Sequence, residues 1–139
     1  MSVQIQGAVP EVPDWMTWLN NGEQYFRAAC PKGDKSRFGA DLLYNLLSMS
    51  LEGYVMAIAG FYDCLPYNHT YTDLMDALER VMPLDPDLKA RILTHESLQN
   101  ICSIEDYQRS HPSEDALADL RDAVARIGAM ARQVCLLPA

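Results

Sequence analysis

A long apolar stretch, "LLYNLLSMSLEGYVMAIAGFY" at residues 42–62, constrains the fold of this chain more than any other feature. Its length is close to that of a membrane-spanning helix. However, Asn45, Ser48, Ser50 and Glu52 interrupt it, and a charged group in the middle of a bilayer is costly. We therefore expect a buried central helix of a soluble protein, with no membrane as a partner.

The polar residues of this central helix also follow a pattern. The helix is predicted from about Ala40 to Cys64. At 3.6 residues per turn one of its faces carries Asp41, Asn45, Ser48, Glu52 and Asp63. Glu52 is therefore expected to point at water or at a polar partner that lies along this stripe.

Four more helices are predicted, and each begins at a residue that favours an N-cap. Those caps are Asp14, Thr70, Asp85 and Ser113. The first of these helices is predicted over 15–29, the second from residue 71, the third over 86–101 and the fourth over 114–135. The last helix carries an apolar seam, formed by Leu117, Leu120, Val124, Ile127, Ala131 and Val134. No segment of the sequence has a pattern that favours a β-strand instead. The sequence thus predicts an all-α, up-and-down bundle of four to five helices over residues 14–139, after an extended N-terminal arm at 1–13.

The net charge and the cysteines indicate which ligands and which cell compartment suit the protein. The 139-residue chain has a formal net charge of −8, which makes an extensive nucleic-acid surface unfavourable. The first residues lack a basic segment followed by an apolar one, so we expect no signal peptide. The four cysteines form no C-x-x-C pair, so the sequence favours reduced thiols in a cytoplasm and predicts neither a metal site nor a cofactor.

Strictly alternating helix directions would gather particular side chains at the two ends of the bundle. At one end, most of the Lys and Arg residues would meet, among them Lys32, Lys35, Arg37 and Arg132. They form either a solvated surface, which we favour, or a site for a phosphate or carboxylate. The opposite end would bring together His69, Arg109 and His111.

Three segments, taken in order, resemble the HEPN family (higher eukaryotes and prokaryotes nucleotide-binding domain). They are the apolar helix itself, the helix entry "NHTYTDLMDAL" and the stretch "EDYQRSHPSEDA" before the amphipathic last helix. The resemblance covers roughly residues 14–135. It implies an all-helical up-and-down bundle, often dimeric, that binds nucleotides, partners a nucleotidyltransferase, or cleaves RNA without a metal.

Ribonucleases of this family carry an arginine and a histidine with four to six residues between them. Three residues separate Arg91 from His95, and one separates Arg109 from His111, so neither pair has that spacing. Arg91 and His95 would share a helix face. The resemblance therefore implies the fold more than the activity.

These patterns predict a binding module without catalytic activity, which binds a second copy of itself, a nucleotidyltransferase-type partner protein, or a nucleotide or other small anion. Tyr62, Tyr67 and Tyr71 are expected to pack in the core, and the alternative places them on a dimer face. As an enzyme, the chain would instead be a divergent ribonuclease or nucleotide-handling protein with a composite site across a dimer. That site would use His69, Arg109 and His111, the arginine for phosphate charge and a histidine for proton transfer.

Overall fold

The computed structural model describes residues 14–30, 39–104 and 113–136. Residues 97–104 are described by their backbone alone. Within this part of the chain the structure is all-helical. The five helices are α1 (Asp14–Ala29), α2 (Ala40–Phe61), α3 (Tyr71–Val81), α4 (Pro86–Ile104) and α5 (Glu114–Leu136). The prediction of an all-α bundle is confirmed, and the proposed arm at 1–13 lies outside the described residues.

Three helix starts are formed by the predicted caps. The Thr70 hydroxyl accepts a hydrogen bond from the Asp73 amide at 3.1 Å, and the Ser113 hydroxyl accepts one from Ala116 at 3.0 Å. The carboxylate of Asp85 accepts one from the Asp87 amide at 3.1 Å. Each bond satisfies an amide that the first turn of a helix leaves unpaired.

The prediction of strictly alternating helix directions is wrong. Helix α5 runs parallel to α2, because Gly128 lies against Tyr54 and the Cys135 thiol is 3.7 Å from the Ala57 carbonyl oxygen. It runs antiparallel to α1, since Arg132 contacts Glu23.

The change of direction arises between α2 and α3. Tyr71, the first residue of α3, contacts Ser48, whereas Arg80 near its end lies beside Cys64, so α3 runs in the same direction as α2. The connection at 62–70 therefore carries the chain back along the bundle. Nine residues of extended chain reach further than a helix of equal length, which makes this return path feasible.

Helix α2 forms the centre of the core, and it packs on α1, α3 and α5. Its fully buried side chains include Leu47, Leu51, Tyr54 and Ile58. Helix α2 is long and apolar enough to cross a membrane by length and composition, and 67% of its most apolar window is buried inside the bundle.

Close helix contacts surround Tyr54, whose ring fills a slot between α1 and α5. A Cβ atom added to Gly22 or to Gly128 would stand 2.8 Å from ring atoms of Tyr54. The Tyr54 hydroxyl donates a hydrogen bond to Glu23, which also accepts one from Arg132 at 2.7 Å. Burial first, and then the bond to Glu23, raises the pKa of Tyr54.

Candidate functional site

Part of the polar stripe predicted on α2 faces other helices rather than water. Tyr44, Ser48 and Glu52 stand four residues apart, so they form one row along the helix. Tyr44 meets His95 of α4, Ser48 meets Tyr71 of α3, and Glu52 meets His69 in the α2–α3 connection. Of the two alternatives expected for Glu52, water or a polar partner, the structure shows a polar partner, His69.

A cleft of about 210 Å³ opens over the Ser48 and Glu52 end of this row. Its walls come from α2, the α2–α3 connection, α3 and α4. They are formed by Ser48, Met49, Glu52, His69, Thr70, Tyr71, Leu74 and Glu96. Hydroxyl, imidazole and carboxylate groups thus share one cavity with two apolar side chains.

Two contacts position the imidazole of His69 in this cleft. Its Nδ1 atom pairs with Oε2 of Glu52, and its ring meets the ring of Trp18 edge to face, with 6.2 Å between the ring centroids. The side chain of His69 is 46% exposed, so a molecule in solvent can reach the imidazole. A carboxylate next to an imidazole orients the ring.

The second carboxylate of the cleft belongs to Glu96. One of its oxygens accepts a hydrogen bond from the Thr72 hydroxyl at 2.6 Å, and the other accepts one from the Thr72 amide at 3.2 Å. Glu96 thereby joins α4 to the first turn of α3, where negative charge is favourable. The described lining residues include two carboxylates and no lysine or arginine, so this part of the cleft is electronegative.

A buried polar network lies further along the row, at His95. His95 is 3% exposed, and its Nε2 atom is 2.8 Å from a carboxylate oxygen of Asp119 in α5. Because a carboxylate only accepts hydrogen bonds, Nε2 carries the proton. In the neutral ring Nδ1 then accepts a bond of 2.5 Å from the Tyr44 hydroxyl.

Arg91 completes this network. Its guanidinium contacts Asp119 at 2.8 Å and Asp122 at 3.0 Å. Burial raises the pKa of Asp119, but the hydrogen bonds from His95 and Arg91 outweigh that effect, and the pKa is lowered overall. The network joins α2, α4 and α5, and the burial of His95 makes it a structural tie rather than a reactive group. In the sequence, the only indication of this network was that Arg91 and His95 share a helix face.

The remaining predicted site residues are not brought together among the described residues. Lys32, Lys35, Arg37, Arg109 and His111 lie outside them. Arg132 pairs with Glu23 and is not at the end of the bundle where α1 finishes, because the α5 residue beside Cys30 there is Arg121. The prediction that Arg132 lies at that end was wrong, since it depended on alternating helix directions.

Of the predicted trio His69, Arg109 and His111, the structure describes only His69, which lies beside Glu52. In the described residues, no group of three or more His, Cys, Asp or Glu side chains is arranged to hold a metal ion.

A second exposed feature is an apolar surface where α2 ends. Eight large apolar side chains are exposed among the described residues, and six of them lie at this end. We call these six the apolar end surface: Met16, Phe61, Tyr62, Leu65, Tyr67 and Leu136. Core packing was predicted for Tyr62 and Tyr67, and that was wrong, since they are 46% and 93% exposed. Tyr71 is buried, as predicted.

Searches of known protein families, of curated proteins and of solved structures found no significant match to this chain.

Proposed function

We propose that this protein is an interaction module that binds a second copy of itself through the apolar end surface. The observation that carries the proposal is the concentration of exposed apolar side chains at one end of the bundle. Soluble monomers rarely expose a large contiguous apolar patch, and such patches mark interaction sites. Tyrosine and phenylalanine are also enriched at the centres of protein interfaces.

A second copy is favoured as the occupant because this end carries groups of opposite charge, Arg80 and Asp63, among its aromatic residues. The chain carries a net charge of −8, so two copies repel each other except where carboxylates are sparse. At this end Arg80 lies beside Tyr67, and Asp63 lies between the aromatic residues in the sequence. A two-fold contact places Arg80 of each copy against an aromatic ring or carboxylate of the other.

Sedimentation equilibrium tests this proposal over a range of protein concentrations. We expect a dimer for the unmodified chain and at least 30-fold weaker association for the double variant Phe61→Ser/Tyr67→Ser, a loss of about 2 kcal/mol typical of interface anchors. Leu42→Ser is the matched control, because Leu42 is about as exposed as Phe61 (44% and 42%) but lies at the start of α2.

Two outcomes contradict the proposal. One is a monomeric chain up to about 1 mM, where even weak association would be populated. The other is equal loss of association in the Leu42 control. If the chain stays monomeric but a different protein binds the unmodified surface and not the double variant, the surface serves a partner protein instead.

The resemblance to the HEPN family belongs to the same proposal. To it we add a cytoplasmic location, expected from the cysteine usage, a nucleotidyltransferase-type partner protein, and a nucleotide or other small anion held by Lys32, Lys35 and Arg37. Stabilisation of the chain by nucleotides in a thermal-shift assay, lost in Lys35→Ala/Arg37→Ala, supports the anion site. Equal stabilisation of the double variant contradicts that assignment.

One observation favours the alternative, a divergent metal-independent ribonuclease. His69 is solvent-accessible and paired with Glu52, as a histidine that transfers protons requires. Such a site needs Arg109 and His111 as well, to offset the negative charge of the cleft. RNA cleavage that survives chelation and disappears in His111→Ala supports this alternative, and absence of cleavage by the dimer removes it.

A further inference from the structure

The cleft between α2 and α3 has a recognition chemistry that the proposed function does not use. Its polar groups are almost all hydrogen-bond acceptors or hydroxyls: two carboxylates, the Ser48 and Thr70 hydroxyls and the phenol of Tyr71. The side chains of Met49 and Leu74 supply its apolar part. This arrangement differs from the phosphate site expected of a nucleotide-binding protein, which needs cationic or amide donors.

The two carboxylates differ in their capacity to accept a new partner. Both oxygens of Glu96 already accept hydrogen bonds from Thr72. In contrast, His69 occupies only Oε2 of Glu52, and no described residue bonds its Oε1 atom. Glu52 is 30% exposed, so this oxygen can accept a donor from a molecule in the cleft.

The size of the cleft limits the ligand. The cleft of about 210 Å³ is smaller than the roughly 300–1,000 Å³ of pockets that hold drug-sized ligands, so its ligand is small. A ligand of this size has room for one charged group and a short carbon chain. The apolar surfaces of Met49 and Leu74 favour such a chain over a second polar group.

We propose that this cleft binds a small primary ammonium compound with a short apolar body. The ammonium group donates to Oε1 of Glu52, since it has three donors and no acceptor. The carbon chain lies against Met49 and Leu74. This site is separate from the apolar end surface, so its test is independent of self-association.

The experiment is an NMR titration of the ¹⁵N-labelled chain with three probes. They are n-butylammonium, its neutral counterpart n-butanol, and inorganic phosphate. We expect saturable shifts of amides around the cleft with n-butylammonium alone, with a dissociation constant of about 1–10 mM for so few atoms. Equal shifts with n-butanol, saturable shifts with phosphate, or no saturable shifts with any probe would overturn the proposal.

Two variants then identify the group that recognises the ligand. Glu52→Gln keeps the shape of the side chain and removes its charge, and we expect at least a tenfold loss of affinity. Glu79→Gln is the matched control, because Glu79 is exposed on α3 and pairs with Lys89 away from the cleft. If Glu52→Gln is well folded and binds as tightly as the unmodified chain, the assignment to Glu52 fails.

Discussion

The contact between Gly53 of α2 and Gly22 of α1 gives the sharpest prediction about stability. A Cβ atom added at Gly53 would stand 2.6 Å from the Gly22 amide nitrogen, 2.8 Å from its Cα and 2.9 Å from the Trp18 carbonyl oxygen. All three are backbone atoms, which cannot rotate away as a side chain does. Gly53→Ala therefore forces α1 and α2 apart by about 1 Å to restore normal contact distances.

The expected magnitude combines three effects on the free energy of unfolding. Overpacking a core contact costs about 1–3 kcal/mol. A clash with backbone atoms lies at the upper limit of this range, because they cannot move aside as a side chain does. Separation of the helices also stretches the 2.7 Å hydrogen bond from the Ser50 hydroxyl to the Gly22 carbonyl, which contributes about 1 kcal/mol. Alanine is the better helix former by about 1 kcal/mol. The net loss is about 3 kcal/mol.

Urea unfolding followed by circular dichroism measures this loss at one fixed protein concentration. With a slope of about 2 kcal/mol per molar urea, the midpoint falls by about 1.5 M. Gly60→Ala is the matched control in the same helix, because its nearest neighbour is the Trp15 Cβ at 3.4 Å. There the helix propensity of alanine operates alone and raises stability by up to about 1 kcal/mol. A Gly53→Ala variant as stable as Gly60→Ala would refute the reasoning.

Two further predictions concern groups with shifted pKa values. The lowered pKa of Asp119 means that its ionised form stabilises the fold above the ordinary aspartate pKa of about 3.9, and that this stabilisation is lost as the pH falls through the lowered value. Asp119→Asn should therefore cost about 2 kcal/mol at pH 7 and much less at pH 3 in urea unfolding, and an equal cost at both values would contradict this assignment. Burial raises the pKa of the Cys135 thiol to about 11, so only about a thousandth of it is thiolate at pH 8. Iodoacetamide at pH 8 should label Cys64 well before Cys135 in the native chain, as read by peptide mass spectrometry, and equal labelling would show that the α5 end is open.

The features that were predictable from the sequence are those that local chemistry decides. The caps at Thr70, Asp85 and Ser113 depend on a side chain and an amide two or three residues away. The central position of α2 depends on its composition alone, and the apolar seam of α5 is confirmed because all its members except the half-buried Val134 are buried.

The helix directions were not predictable in the same way, because they depend on one connection. The stretch at 62–70 contains Pro66 and ends at a helix cap, which fits a tight turn as well as a return path. The distinction arises from contacts far apart in the chain, such as Glu52 with His69 and Arg80 with Cys64. Misreading it inverted α3, α4 and α5 relative to α1 and α2, and this error misplaced Arg132.

The slot that holds Tyr54 also sets the order in which the chain is able to fold during synthesis. Helices α1 and α2 leave the ribosome early, and their antiparallel contact at Gly22 and Gly53 allows them to pair at once. The other wall of the slot is Gly128, and the arginine that shares Glu23 with Tyr54 is Arg132. Among the described tyrosines the most buried one thus stays open on one side until α5 has been made. Until α5 packs on them, the paired helices α1 and α2 present an apolar face.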